Sequence, residues 1–396
     1  MINILSIIGR SKNIFRNDIN KYEHSLGKIV SKSSFLVLGG AGSIGQSVVK
    51  EIFRLNPKKL HVVDLNENNI VELVRDIRSS YGYIDGDFST FCIDIGSDIY
   101  DAFIKYDGKY DYVLNLSALK HVRSEKDSFT LMRMIDTNIF NTNKTIEHSI
   151  KNKAKKYFCV STDKAANPVN MMGSTKKIME MFVLNKSSDI NISMARFANV
   201  AFSDGSLLFG FKNRILKKQP IVAPNDIKRY FMTPEESGQL CLMSCIFGDN
   251  GDIFFPKLNE KFNLVSLSEI AIKYIKIKGY EPYMCDDEQE ARALAKTLPE
   301  KGKWPFLGTI SDTTGEKTFE EFFTDSEKID LDIYESIGII KADLSHNSLA
   351  LNEFEKKINF LKSKLKWSKD EIVNEIITLI PGLNYYEKGK YLDDKM

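Results

Sequence analysis

Two segments of this 396-residue chain combine residue types that can hold and transform a phosphorylated ligand. The first, Gly39-Gly40-Ala41-Gly42-Ser43-Ile44-Gly45, sets glycines at a G-x-x-G-x-x-G spacing between a short apolar run at 35–38 and an amphipathic stretch. Such a turn needs positive φ, close backbone approach to a pyrophosphate, and tight packing of helix on strand. The N–H groups at the helix start then face the phosphates, which makes Gly39, Gly42, Ser43, Ile44 and Gly45 candidate cofactor ligands. Asp64 ends the next apolar run, 19 residues beyond Gly45. A carboxylate there accepts from ribose hydroxyls and repels a 2′-phosphate, and residues 65–69 bring no arginine to receive one, so NAD is expected rather than NADP. The alternative is that Asp64 begins a turn or caps the helix near Asn69. Asp94, with Ile95 beside it, reaches the adenine by the same logic.

The second segment is Ser161-Thr162-Asp163-Lys164-Ala165-Ala166-Asn167-Pro168, directly after an apolar strand at 156–160. At the carboxyl end of a strand, its hydroxyl, carboxylate and amine all enter one crevice. Met172 and Lys176 follow four residues apart, on one face of a helix. Taken alone, Ser-Thr-Asp-Lys is equally a turn with helix-capping hydroxyls.

These segments need a frame. Apolar runs at 35–38, 60–63, 90–93, 112–116, 156–160 and 191–195 alternate with amphipathic helical stretches such as 46–55 and 69–79. That alternation predicts an α/β fold, a doubly wound parallel sheet with helices on both faces. We divide the chain into an N-terminal extension (1–33) with an amphipathic helix around 17–30, a cofactor-binding domain (34–200), a smaller α/β substrate domain interleaved with it (201–345), and a helical tail (346–396). Beyond about residue 280 an acidic helical stretch at 286–290, a turn-rich passage at 311–315 and a capping box at Ser368-Lys369-Asp370-Glu371 predict a helical appendage, packed on the substrate half or on another subunit.

Composition narrows the function classes. With 55 basic and 53 acidic side chains the net charge is +2, which argues against a nucleic-acid surface or a polybasic membrane anchor. No apolar run approaches the roughly 20 residues of a membrane span, and the N-terminus lacks the basic start of a signal peptide, so a cytoplasmic protein is expected. Five cysteines without a C-x-x-C pair predict free thiols, with Cys241 and Cys245 on one helix face. The five histidines follow no ligand spacing, and no metal is expected.

The glycine run, the segment Ser117-Ala118-Leu119-Lys120-His121-Val122, the 161–168 run with Met172 and Lys176, and Arg196-Phe197-Ala198-Asn199-Val200 together resemble the extended short-chain dehydrogenase/reductases. More narrowly, they are similar to the UDP-N-acetylglucosamine 4,6-dehydratases of bacterial polysaccharide and nonulosonate biosynthesis. The resemblance runs over roughly 34–280, with an echo at Gly315-Glu316-Lys317. It implies a Rossmann-type fold, bound NAD, a UDP-sugar substrate, a homo-oligomer, and a dehydration with no net redox change. In one respect the chain departs: most of the superfamily has a tyrosine four residues before the lysine, where this chain has Met172. A thioether cannot act as acid or base. The same replacement marks the dehydratases that retain configuration at C5.

The resemblance also implies roles. Lys164, its pKa depressed, would remove the C5 proton, and Asp163, kept protonated by desolvation, would protonate the departing C6 hydroxyl. Lys176 would bind the nicotinamide ribose. Thr162, Asp163 or a water would take the C4 hydroxyl proton. Ser117 would lie against the cofactor, with Lys120, His121 and Met172 along the sugar. Asn199 and Arg229 would hold the nucleotide diphosphate, Ser206 at its helix start a phosphate or the uracil, and Glu316 the uridine ribose. A UDP-sugar 4-epimerase, another sugar-nucleotide oxidoreductase and a non-catalytic dinucleotide-binding protein are the alternatives.

Overall fold

The computed structural model describes residues 3–258, 264–312, 317, 320–345 and 348–390. Two N-terminal helices, α1 (Ile4–Ile7) and α2 (Arg16–Val30), precede a strand-helix series. The series runs β1 (Ser34–Leu38), α3 (Ser43–Arg54), β2 (Lys59–Asp64), α4 (Glu67–Ser80), β3 (Asp87–Cys92), α5 (Asp98–Asp107) and β4 (Tyr112–Asn115). It continues through α6 (Ser128–Ile135), α7 (Asn141–Lys151), β5 (Lys156–Thr162), α8 (Met171–Leu184) and β6 (Asn191–Phe197). Each predicted strand is present, extended by one to three residues at an end in most cases. The runs at 112–116 and 90–93 stop one residue early. Helix α3 starts at Ser43, so the glycine run opens the helix itself.

The second half comprises β7 (Asn199–Val200), α9 (Leu207–Leu216), β8 (Ile221–Pro224), β9 (Lys228–Met232), α10 (Pro234–Phe247), β10 (Asp252–Pro256) and β11 (Leu264–Ser266). After these come α11 (Leu267–Ile277), β12 (Glu281–Met284), α12 (Glu288–Leu294), β13 (Lys303–Thr309), β14 (Lys328–Asp330), β15 (Ile337–Lys341), α13 (Ser348–Ser363) and α14 (Lys369–Leu379).

Among the described residues nine strands form one sheet in the order β14-β15-β10-β6-β5-β4-β1-β2-β3. The seven from β10 to β3 are parallel; β15 and β14 add antiparallel pairs at the other edge. Chain order reverses between β1 and β4, where Leu38 pairs with Asn115. This is the switch point at which a doubly wound sheet opens a crevice for ligand. The strands are buried on both faces and so read as continuous apolar runs. Two three-stranded sheets, β11-β9-β7 and β12-β13-β8, lie outside the main sheet, and a separate apolar cluster around Phe211, Tyr274, Trp304 and Phe306 includes Ile7 and Ile8 of the N-terminus.

The region beyond 280 differs from the expected helical appendage. It contains three-residue to seven-residue strands, and β15 enters the main sheet through a buried Ile337–Lys341 segment. The tail helices dock on the cofactor half, not on the substrate half: Leu351, Phe354, Ile358, Ile372 and Ile376 join the main core. The rings of Phe354 and Phe140 lie 6.3 Å apart, and Trp367 Nε1 donates to Ser128 O at 3.1 Å. The capping box at Ser368 and Glu371 starts α14 as the sequence indicates. No disulfide forms; Cys241 and Cys245 are buried thiols on α10. Among the described residues no helix is long and apolar enough to cross a membrane.

Candidate active site

Gly39 leaves β1 with φ at +69°, and a Cβ there would sit 2.7 Å from Ser117 N. A Cβ on Gly45 would lie 2.2 Å from Gly39 O, so the first turn of α3 presses directly on the loop. Gly42 is the N-cap of α3, and among the described residues no side chain caps that end. The first N–H groups of α3 are therefore available to an anion, as a pyrophosphate cradle requires. Ser43 Oγ donates to Asp204 Oδ2 at 2.9 Å and accepts from Asp204 N at 2.8 Å, which fastens the 203–206 loop to this helix start.

Asp64 braces the cradle. Its Oδ2 accepts from Ala41 N and its Oδ1 from Asn66 N, each at 2.9 Å. The cap of α4 is Asn66, whose side chain accepts from Asn69 N, so Asp64 does not cap that helix; its bond to Asn66 N does begin a turn, as the other alternative had it. Asp64, Asp94, Ile95 and Ser117 line one cleft of about 450 Å³. Its lining includes a π-helical turn, Asp136–Phe140, inserted between α6 and α7. Asn138 of that turn holds the 117–121 loop through both backbone groups of Leu119, at 2.9 and 3.0 Å, and reaches Thr175 on α8.

At the end of β5, Asp163 is 3% exposed and its Oδ1 accepts from Thr162 Oγ1 (2.8 Å), Lys164 N (2.9 Å) and Lys164 Nζ (3.0 Å). Glu320, 5% exposed, puts Oε1 3.6 Å from Lys164 Nζ, and Arg229 on β9 acts electrostatically on both Lys164 and Glu320. The expected depression of the Lys164 pKa is not observed. Burial opposes its charge, but the adjacent Asp163 and Glu320 outweigh burial and raise it. Lys164 therefore rests as an ammonium ion. Burial raises the Glu320 carboxyl despite Lys164.

On the neighbouring helix the amine of Lys176 is depressed. It is buried inside α8 and donates to Val160 O at 2.7 Å and to Met179 Sδ at 3.0 Å; burial lowers its pKa against the pull of Cys159 and Glu180. Met172 is 4% exposed in the first turn of α8, one turn before Lys176. Below them Arg196 forks onto Glu180 (2.8 and 2.9 Å) and Glu327 (2.8 and 2.9 Å), with Ser161 Oγ donating to Glu180 at 2.6 Å. Burial alone would raise Glu180; Arg196 overrides it and holds the carboxyl at about 2.

In the second half, the ring of His121 packs within 2.8 Å of the Cβ position of Gly205, where φ is +71°. Desolvation lowers His121, and the neighbouring Lys120 and Arg123 charges add to it; Lys120 is lowered by desolvation as well, against Asp204. Ser206 is the N-cap of α9, its hydroxyl accepting from Phe209 N at 3.2 Å. Asn199 lies on β7, beside Phe231 of β9. Arg229 Nη1 donates to Lys228 O at 2.9 Å. Glu316 lies outside the described residues. Among the described residues no three His, Cys, Asp or Glu side chains gather as metal ligands.

The family profile of polysaccharide biosynthesis proteins matches residues 35–342. The chain belongs to that family. Among its relatives is an uncharacterized membrane protein of Methanocaldococcus jannaschii, 30% identical over 78% of this chain and 85% of that protein. A UDP-glucose 4-epimerase of Rickettsia bellii is 27% identical over 90% of this chain and 97% of its own. Among solved structures, Pen from Bacillus thuringiensis superposes with a TM-score of 0.65 at 22% identity, covering 85% of this chain and 98% of that one. The dTDP-glucose 4,6-dehydratase DesIV of Streptomyces venezuelae, solved with NAD and TYD bound, gives 0.56 at 13% identity, over 73% and 87%.

Sequence reasoning missed three parts of this polysaccharide biosynthesis protein's site. Glu320 lies far from the 161–168 run in sequence and follows a stretch without periodicity; the fork of Arg196 on Glu327, its bond to Phe322 O and the bond of Asn167 to Glu321 bring that segment in. Glu125, fully buried, accepts from Met171 N at 2.7 Å and braces the start of α8. The third is α13, whose Glu355, Asn359 and Lys362 also line the cleft.

Proposed function

We propose that the protein is an NAD-dependent UDP-N-acetylglucosamine 4,6-dehydratase, acting in the cytoplasm, where NAD and UDP-sugars are made. The observation that carries this reading is the buried Asp163-Lys164 hydrogen bond with Glu320 beside it at the end of β5. Oxidation or epimerisation at C4 needs one proton acceptor at O4, whereas loss of water needs a base at C5 and an acid at O6 as well.

The open first turn of α3 and the cleft around Asp64 fit NAD, with the pyrophosphate on α3 and the ribose on Asp64. Bound NAD supplies a hydride acceptor for C4 and the hydride returned to C6. Thr162 already donates to Asp163, so it can accept the C4 hydroxyl proton and pass its own to that carboxylate. Asp163 thereby becomes the carboxylic acid, and Lys164, 17% exposed, releases its resting proton to water and becomes a free amine beside it. The amine then takes the C5 proton acidified by the 4-keto group, and the acid protonates the leaving C6 hydroxyl. Lys164 finally returns its proton to C5. We assign the UDP diphosphate to Arg229, whose guanidinium can fork onto phosphate, and to the α9 start.

Epimerisation at C4 is the second reading, favoured by the Rickettsia bellii relative that matches over nearly its whole length. Incubation with UDP-N-acetylglucosamine in deuterated water separates the two. A 4-keto-6-deoxy product with deuterium at C5 is expected; a C4 epimer overturns dehydration in favour of the second reading, and unchanged substrate removes both. Lys164→Ala should keep bound NAD and lose dehydration.

A further inference from the structure

We infer that α13 is the outer wall of the adenosine site, with Asn359 reading the adenine edge and Lys362 fixing the wall in place. The inference rests on the NAD reading above and adds residues that lie outside the dinucleotide fold proper. One stripe of α13, Leu351, Phe354, Ile358 and Leu361, is buried in the main core. The adjacent stripe, Glu355, Asn359 and Lys362, is spaced four and three residues apart, so it shares one face and turns into the cleft that holds Asp64 and Asp94. Lys362 Nζ bonds Asp136 Oδ1 of the π-helical turn at 2.7 Å and lies 5.8 Å from the Phe140 ring centroid. The helix is thus tied to the π-helical turn that lines the same cleft.

The chemistry selects adenosine. Adenine offers an amino donor next to a ring-nitrogen acceptor, and a carboxamide offers the matching acceptor and donor. Asp94 cannot complete that pair: as a carboxylate it only accepts, and its Oδ1 already takes Gly96 N at 2.8 Å. Asn359 supplies the missing donor and has open surface to do so. A closed wall also suits a redox-neutral cycle, in which the same NAD is used at each turnover and need not leave.

The test is calorimetric titration of the full chain, stripped of nucleotide, with NAD, ADP-ribose and nicotinamide mononucleotide, for wild type, Asn359→Ala and Asn359→Ala/Lys362→Ala. Asn359 is exposed, so the single variant should fold with an unchanged melting temperature, checked in parallel. The expected result is about tenfold weaker binding of both NAD and ADP-ribose by Asn359→Ala, further weakening in the double variant, and no change for the mononucleotide. Wild-type affinity for ADP-ribose in both variants overturns the role of α13 while leaving the cofactor reading intact. A wild-type protein that binds neither NAD nor ADP-ribose overturns the cofactor reading and this inference with it.

Discussion

Lys164 sits between two carboxyl groups, 3.0 Å from Asp163 and 3.6 Å from Glu320, and this fixes how its proton responds to pH. Burial alone would lower its pKa; the two acids raise it, so below that pKa the amine is charged and cannot act as a base. Activity limited by the free base should therefore climb with rising pH. Glu320→Gln removes one of the two charges that hold the proton on Lys164. In that variant the rising limb of the kcat/KM profile should move to lower pH, while NAD affinity stays at the wild-type level. A limb that does not move would show that Glu320 does not act on the amine. The pair Asp163-Lys164 was legible in sequence because neighbours in a strand-end turn need no fold to bring them together. Its charge state was not, because the deciding third group arrives through an Arg196-Glu327 ion pair that closes over a long sequence separation.

Among the elements, β1, β2, β4, β5 and β6 were legible because parallel strands buried on both faces leave unbroken apolar runs, whereas β10 and β15 of the same sheet, equally buried, were missed. β13 and β14 were not legible either: one contains Pro305 in its middle and the other has three residues, neither giving a period to read. The junction of β1 and α3 shows how tightly the elements fix the cradle. Gly45→Ala would drive a methyl into the carbonyl of Gly39 at 2.2 Å, a contact with backbone that has no flexible side chain to yield. We expect a loss of about 3 kcal/mol in chemical denaturation, together with loss of NAD binding. At the start of α8, Glu125 is fully buried and its Oε1 has no hydrogen-bond partner among the described residues. Burial pushes its carboxyl up to about 7, against the Met171 N–H. An acid whose folded pKa exceeds its unfolded one gives its full stability below the unfolded pKa and loses it as pH rises through the folded value. Glu125→Gln should thus match wild type near pH 4 and exceed it near pH 8, by up to about 3 kcal/mol. Equal melting temperatures at pH 8 would show that Glu125 carries no such penalty.

At the scale of the molecule, the N-terminal segment and the two tail helices are structural parts of the core. Arg10 forks onto Glu236 at 2.6 and 2.7 Å, which ties the N-terminal segment to the capping box of α10, and Asp18 accepts from Glu335 N and Ser336 N at 2.8 and 2.7 Å. The tail buries Leu351, Phe354, Ile358, Leu361, Ile372 and Ile376 against the cofactor half. Each such side chain contributes about 1.5–3 kcal/mol on burial, so the set together matches the roughly 5–15 kcal/mol net stability of a typical domain. A chain ending at residue 345 also leaves its partners on α6 and α8 facing water. It should be recovered as an aggregate, or as a soluble species with helix signal but without a cooperative thermal transition. Adding back a 346–396 peptide should restore the transition if docking alone is missing. A truncated chain that melts cooperatively at the full-length temperature would mean that the tail contributes nothing to the core, and that the cofactor half stands on the sheet and its own helices.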